Sequence, residues 1–318
     1  MQPEELKHIA VLQAIDSDAL NRLAAVLEEN NFDDGQTVFA EGHPGDCMHF
    51  IVHGHIRVEV RTGAAGSARK TLTILEPGDY FGEMSLFDQK PRSASAIAFG
   101  ATRTLRLSKA AFDDLQLTNT RAGMSVLFAM IRTSSERIRR LSAHLVVYDE
   151  VGKAIGEARD LQGLLDVVLN QVSGVTLADW GLLVLRAQFA ERLEVRAVTN
   201  LQLTPAQKEE ISNAKGFLSL ALAEPVERLF ADAEHEAAFK TVPRLGFETP
   251  SLLWAPISIG RDLLGLIVLG GRAAGQFDLD ALNLAKGVAR QTAPAILNAR
   301  HREEEQARSR HARQFVRF

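Results

Sequence analysis

An α+β chain of two folding units joined by a long helix is predicted, and three observations carry the prediction. The 318 residues exceed what one hydrophobic core usually organises. From Asn31 to Leu107, short alternating apolar runs are broken by glycine turns, which is the pattern of a small all-β roll of jelly-roll type. From Thr120 the period changes to the heptads of one long helix, after which helix, strands, hairpin and helix follow in order. The boundaries that follow are 1-120 for the roll with its flanking helices, 121-158 for the connecting helix, 159-300 for an α/β domain with an antiparallel sheet, and 301-318 for a helical tail.

Residues 4 to 15 carry Leu6, Ile9, Ala10, Leu12 and Gln13 at helical spacing. Asp16-Ser17-Asp18 then caps a second helix bearing Leu20, Leu23, Ala24, Val26 and Leu27. The strands of the roll are read at Thr37-Val-Phe, His49-Phe-Ile-Val, Ile56-Arg-Val-Glu-Val, Thr71-Leu-Thr-Ile-Leu, Ala96-Ile-Ala-Phe and Thr104-Leu-Arg-Leu. The long helix, about Thr120 to Ala158, has a seam at Met124, Leu127, Ile131, Ser134, Ile138, Leu141, Leu145, Tyr148, Gly152 and Ile155. Its first part is expected to pack over the roll and the remainder to pair with a second copy in a homodimer; the alternative is that the seam lies on the chain's own second domain. Arg137, Arg139 and Arg140 read as a solvated face.

Beyond the helix, Leu161, Leu164, Leu165, Val168, Leu169 and Val172 mark an amphipathic helix. Strands follow at Gly181-Leu-Leu-Val-Leu185 and at Leu193 to Val198. Ser251 to Ile259 and Leu263 to Gly270, joined by the turn at Gly260, form a hairpin of buried strands. Phe277-Asp-Leu-Asp280 caps a closing helix that the charged tail continues to Phe315-Val-Arg-Phe318.

The composition, 46% hydrophobic and 24% charged, is that of an ordinary globular protein. A net charge of −4 leaves no electrostatic footprint for nucleic acid. One cysteine, Cys47, cannot form an intramolecular disulfide. No stretch reads as a membrane span or a signal peptide, and a cytoplasmic location is expected. His43, His49, His53 and His55 alternate between turns and strand faces without a completing carboxylate or cysteine cluster, so no metal is expected. No paired carboxylates, activated nucleophile or nucleotide-cofactor loop is legible, and no catalysis or cofactor is assigned to the chain.

The densest chemistry lies in Gly78 to Ala96. Pro77-Gly78-Asp79 closes an apolar strand, and Gly82 lets the backbone approach a ligand at the start of a short helix, Glu83 to Phe87. Free amides at such a helix start attract anions. Arg92, stiffened by Pro91, offers a planar fork of donors to phosphate oxygens. Glu83 can accept from a hydroxyl and Ser93 can donate to a phosphate or a base edge. The alternative is that Arg92 and Glu83 pair with each other.

Gly82-Glu83-Met84 with Pro91-Arg92-Ser93 resembles the phosphate-binding cassette of the cyclic-nucleotide-binding domains, the family of the catabolite activator protein and the protein kinase A regulatory subunit. Val38-Phe-Ala-Glu-Gly42, His43-Pro-Gly-Asp46 and Phe50-Ile-Val-His-Gly54 resemble the earlier turns of the same roll. The resemblance implies that Glu83 holds a ribose 2′-hydroxyl, Arg92 a cyclic phosphate, and the amides near Gly82, Met84 and Ser93 the remaining oxygens. It implies a 3′,5′-cyclic nucleotide as ligand, cAMP in preference to cGMP.

Elements of the second half, above all Leu264-Gly265 in the hairpin and the helix start after Phe277, resemble a GAF domain. No cysteine in that half could attach a bilin, and His235 between acidic residues reads as a surface residue, not a haem ligand. The function expected is a cyclic-nucleotide sensor that relays binding through a dimeric helix to a GAF domain and so regulates an output domain or partner. One alternative is the regulatory N-terminal half of a class III nucleotide cyclase or a histidine kinase. A cAMP-dependent transcription regulator is disfavoured, because a GAF-like pattern stands where a helix-turn-helix would follow.

Overall fold

The computed structural model describes residues 6–7, 9–13, 15–62, 68–88, 90–157, 160–187, 192–233, 235–239 and 250–315. The chain divides into two compact units, Met1–Arg139 and Arg140–Phe318.

In the first unit a 3-10 turn, Ala10–Leu12, precedes helix α1 (Ser17–Val26). Leu6, Ile9 and Leu12 are all buried; of the helix read over residues 4 to 15, Leu6 is α-helical, Ala10–Leu12 takes the tighter form, and residues 4, 5, 8 and 14 lie outside the described residues. Asp16 caps α1 by accepting from the Ala19 amide at 2.9 Å. The strands are β1 (Glu28–Phe32), β2 (Thr37–Phe39), β3 (Cys47–Thr62), β4 (Ala68–Leu75), β5 (Tyr80–Phe81) and β6 (Ser95–Ser108), with helix α2 (Met84–Asp88) between the last two. They pair antiparallel in the order β1-β6-β3-β4, with β2 on β6 and β5 on β3.

β3 and β6 are each single strands, where the alternation had suggested two runs. The break in pattern comes from Gly54 and Gly100, at φ +78° and +75°, which bend a continuous ladder. A side chain at Gly54 would stand 2.4 Å from the Ala101 carbonyl. Ile51, Ile56, Phe81, Ala96 and Ala98 fill the roll. Outside it, Met48, Phe50, Leu105 and Leu107 are covered by α1, by helix α3 (Lys109–Thr118), and by Ala122, Val126, Ala129 and Met130 of the helix that follows. That helix, α4 (Thr120–Glu157), is 38 residues long, and Ala158 lies outside the described residues.

The second unit holds a five-stranded antiparallel sheet in the order β8-β7-β11-β10-β9. Its elements are α5 (Leu161–Val175), β7 (Trp180–Arg186), β8 (Leu193–Thr199), α6 (Pro205–Ser212), α7 (Phe217–Ala223), β9 (Arg228–Phe230), β10 (Ser251–Ile259), β11 (Asp262–Gly271) and α8 (Leu279–Phe315). Residues 316–318 of the expected tail lie outside the described residues. Alternate side chains go to opposite faces. Leu183, Leu185, Leu253, Ala255, Ile267 and Leu269 pack against α5, α8, Val147 and Val151. Leu182, Val184, Leu252, Trp254, Leu266 and Val268 form the other core with Ile211, Phe217, Leu218 and Phe230. Both faces are therefore dry, which is why these strands read as unbroken apolar runs. Trp254 anchors the second core: it is fully buried, donates Nε1–H to the Val226 carbonyl at 3.0 Å, and lies parallel to Phe217 at 6.5 Å.

His49 is a buried titratable group of the roll. Its ring stacks on Phe81 at 5.2 Å and its Nδ1 lies 3.0 Å from Thr104 Oγ1. Burial, followed by the positive charges of Arg92 and Arg106 and against the weaker pull of Asp46, lowers its pKa from 6.5 to about 4. Between those values the unfolded chain holds the extra proton, so stability falls as pH drops from 6.5 towards 4 and levels off below it.

Urea unfolding of the intact chain is expected to show this loss, about 3 kcal/mol across the window, and His49→Phe is expected to flatten the slope. A slope untouched by the substitution would assign the loss to other groups. Trp254→Ala is expected to cost the second unit about 3–5 kcal/mol by leaving a cavity between sheet and helices. The same urea titration measures it.

Candidate functional site

The segment from β5 through α2 to the start of β6 folds back on the turn between β2 and β3. The Arg92 amide donates to the His43 carbonyl at 2.8 Å, and the Gly42 amide to the Arg92 carbonyl at 2.8 Å. Ser95 Oγ accepts from the Glu41 amide at 3.0 Å. These bonds fix the main chain of Arg92 and direct its side chain into the roll, where it is 6% exposed.

The guanidinium is held by protein acceptors on two sides. Nη1 donates to the Gly82 carbonyl at 2.7 Å and to Ser85 Oγ at 2.7 Å. Nη2 donates to the Cys47 carbonyl at 2.8 Å and contacts Cys47 Sγ at 3.3 Å. The Phe39 ring lies 4.0 Å from its central carbon, a cation–π contact. Nε is buried and has no hydrogen-bond partner. Gly45 and Gly82 allow this enclosure, since a Cβ at Gly45 would stand 2.5 Å from Nε, and one at Gly82, whose φ is +79°, 2.6 Å from Nη1.

Among the described residues no carboxylate lies within ion-pair distance of Arg92, so its pairing with Glu83 is not what holds it. Glu83 is partly buried, and that burial raises its pKa above the ordinary value while the charges of Arg137 and Arg92 oppose the rise. The other residues singled out from sequence fall into two groups. Gly82 touches Arg92, whereas Met84 and Ser93 sit at the exposed rim, with Ser93 Oγ 3.8 Å from Met84 Sδ. The short helix begins at Met84, one residue later than expected.

Sequence reasoning missed Phe39, Gly45, Cys47 and Ser85 as neighbours of the guanidinium. Gly45 had a legible signal in its Pro-Gly-Asp turn; Phe39, Cys47 and Ser85 had none, because each looks like a strand or helix residue facing a core. Arg137 was also misread. It donates Nη2–H to Asp79 Oδ1 at 2.9 Å and Nη1–H to the Tyr80 carbonyl at 3.2 Å, and its central carbon lies 4.5 Å from the Tyr80 ring centre. The Tyr80 hydroxyl donates to the Met130 carbonyl at 3.0 Å and lies 3.0 Å from Ser134 Oγ. α4 is thereby bonded to the strand that leads into Gly82. In the second unit, Arg140 donates to Asp278 Oδ2 at 3.0 Å. Of the arginine run, Arg137 is a half-buried fastener, whereas Arg139 and Arg140 are exposed as expected, Arg140 with a surface ion pair.

The seam of α4 divides. Met124, Ile131, Ile138 and Leu145, one heptad apart, are exposed, and so is Leu141. Tyr148 and Ile155 pack on the second unit's own core, and Gly152 faces Gln291 of α8. The last turns therefore belong to the chain's own second domain and are not available to pair with another copy, as had been expected of them.

The second unit offers less chemistry. An open depression of about 410 Å³ is lined by Asn170, Ser173, Gly174, Leu177, Ala178, Thr199 and Asn200, with no charged side chain. His235 is exposed and lies 2.8 Å from Asp232 Oδ2. Among the described residues no group of three or more His, Cys, Asp or Glu is arranged to hold a metal ion. No helix among them is long and apolar enough to cross a membrane.

Comparison with known proteins agrees with this division. Residues 29–119 match the family model for the cyclic nucleotide-binding domain, and residues 160–296 that for the GAF domain. Both are regulatory modules. The chain is 35% identical over 106 residues to a CRP-like cAMP-activated global transcriptional regulator of Mycobacterium tuberculosis, covering 33% of this chain and 46% of that protein. It is 34% identical over 113 residues to a cAMP-dependent protein kinase regulatory subunit of Dictyostelium discoideum, covering 35% of each. The chain thus spans less than half the length of these curated relatives. Among solved structures, a cyclic nucleotide-binding domain from Methylobacillus flagellatus is similar at 24% identity and a TM-score of 0.40, covering 43% of this chain and 80% of that one. The regulatory domain of Toxoplasma gondii PKA with cAMP is similar at 24% identity and a TM-score of 0.36, covering 42% and 48%. The roll that encloses Arg92 is a cyclic nucleotide-binding domain, and the chain belongs to the proteins in which that domain is followed by a GAF domain.

Proposed function

We propose that the chain is a cyclic-nucleotide sensor, with cAMP the ligand in preference to cGMP. The observation that carries this reading is the Arg92 guanidinium, buried in the roll with no carboxylate partner among the described residues. A charge taken out of water is costly unless an opposite charge joins it, and a nucleotide phosphate supplies one. Arg92 holds the cyclic phosphate, the amides of Gly82, Met84 and Ser93 serve the remaining oxygens, and Glu83 accepts from the ribose 2′-hydroxyl. The choice of cAMP draws on the curated relatives, both of which are described by that ligand.

Binding is relayed through α4. Asp79 and Tyr80, which fasten that helix through Arg137 and Ser134, are separated from Gly82 and Glu83 by Phe81 alone. A ligand that moves the cassette therefore acts on the bonds that hold the helix, and the shift it produces is limited to its differential affinity for the two helix positions. The exposed heptad positions Met124, Ile131, Ile138 and Leu145, with Leu141, pair with the same stripe of a second copy. The GAF domain receives the movement and passes it to an output domain or partner.

Calorimetric titration of cAMP and cGMP into the intact protein is the direct test. Arg92→Ala is expected to weaken binding by about 1.5–3 kcal/mol, one to two decades, and no binding of either nucleotide by the unmodified chain would overturn the reading. Sedimentation is expected to show a dimer that the double variant Ile138→Glu, Leu141→Glu converts to a monomer. A dimer that survives both substitutions would place the interface elsewhere.

A further inference from the structure

We infer that Ser85 is the positioning residue of this site: its hydroxyl fixes the orientation of Arg92 so that the anion is gripped through the Nε edge of the guanidinium and not through the two-pronged Nη fork. The inference rests on the cyclic-nucleotide reading and specifies how the phosphate is held. Arginine usually meets phosphate with two parallel N–H bonds. Here both Nη nitrogens are already committed, Nη1 to the Gly82 carbonyl and Ser85 Oγ, Nη2 to the Cys47 carbonyl and sulfur. Nε alone is without a partner, and it is buried.

Ser85 is built for this task. It lies on α2, is 5% exposed, and donates its own proton to the Gly82 carbonyl at 3.1 Å while accepting from Nη1 at 2.7 Å. With its proton committed to that carbonyl, the hydroxyl turns a lone pair towards the guanidinium, so it acts on Arg92 as an acceptor only. Ser85, Nη1 and the Gly82 carbonyl make a closed three-membered ring of contacts that stops the guanidinium turning about its own plane. Gly45 leaves room beside Nε and the serine alike: a Cβ there would stand 2.5 Å from Nε and 2.4 Å from Ser85 Oγ. A single charge-assisted N–H bond to one exocyclic oxygen matches a cyclic phosphodiester, which carries one negative charge shared between two such oxygens.

The test is a cAMP titration of the intact ¹⁵N-labelled protein, followed at the arginine Nε–H and Nη–H resonances, with Arg92→Lys identifying the Arg92 signals. The unmodified protein is expected to show separated, slowly exchanging Nη–H signals before ligand is added, and a large shift of Nε–H on binding. Ser85→Ala is expected to merge the Nη–H signals and to weaken cAMP about tenfold, the loss of one bond to a charged group, at unchanged melting temperature. Ser85→Thr, which keeps the hydroxyl, is expected to restore both. Affinity within twofold of the unmodified protein in Ser85→Ala, or a titration that moves Nη–H and leaves Nε–H in place, would overturn the inference. If the unmodified protein binds no cyclic nucleotide, that reading fails by itself. The same resonances titrated with inorganic phosphate then decide the Nε grip: a shifted Nε–H sustains it and a static one removes it.

Discussion

A buried guanidinium with no counter-carboxylate among the described residues is the constraint around which the first unit is arranged. Water would solvate Arg92 far better than an apolar roll does, so the fold must replace that solvation with fixed dipoles. It does so with two main-chain carbonyls, a hydroxyl, a sulfur and an aromatic face. Each replacement sets a demand on sequence. The carbonyl of residue 82 points inward only because Gly82 takes a left-handed φ, the turn above the arginine needs Gly45, and the bent strand β3 delivers the Cys47 carbonyl from its first residue. None of these groups carries a full negative charge, and the positive charge of the site stays uncompensated.

The same uncompensated charge acts on its surroundings. His49, two residues from Cys47, is kept neutral partly by Arg92, and the Glu83 carboxyl, raised by its burial, is drawn back partly by it. On the far side of β5, Arg137 stacks on Tyr80 and pairs with Asp79. The path from Arg92 to α4 therefore consists of a few consecutive residues: Asp79 and Tyr80 bond to the helix, Phe81 faces the roll, and the Gly82 carbonyl holds Arg92. A strand this short is stiff along its length, which suits it to passing small displacements from one face to the other.

Much of this architecture is legible in the sequence, and the exceptions have physical causes. The cassette was readable because its chemistry needs particular residues at fixed spacing, and α4 because a heptad persists over many turns. β1 was not: Glu28-Glu-Asn-Asn-Phe32 is a polar edge strand, and nothing in its side chains announces the ladder it makes with β6. Helix α6 did carry a signal that went unread, the capping box formed by Thr204 and Gln207 around Pro205. α7, a short apolar segment of Phe217 to Ala223, cannot be told from a buried strand by periodicity. In the site itself the arginine was visible and its cage was not, because main-chain carbonyls and a lone serine leave no pattern. The division of the α4 seam was hidden for a related reason, since a heptad records that a face is apolar and not which surface covers it.

The strands that bound the two sheets share a property with a consequence for how copies of this chain can meet. β1 carries Glu28 and Glu29, β4 Arg69 and Lys70, β8 Glu194 and Arg196, and β9 Arg228. Charged side chains along an open edge discourage a foreign strand from continuing the ladder, because its main chain would have to dock beside them. Growth by adding strand to strand, the common route from a β-rich monomer to an insoluble aggregate, is blunted along these four strands. Contact between helical surfaces carries no such penalty, since it is made side chain to side chain and can be undone by a change in helix rotation.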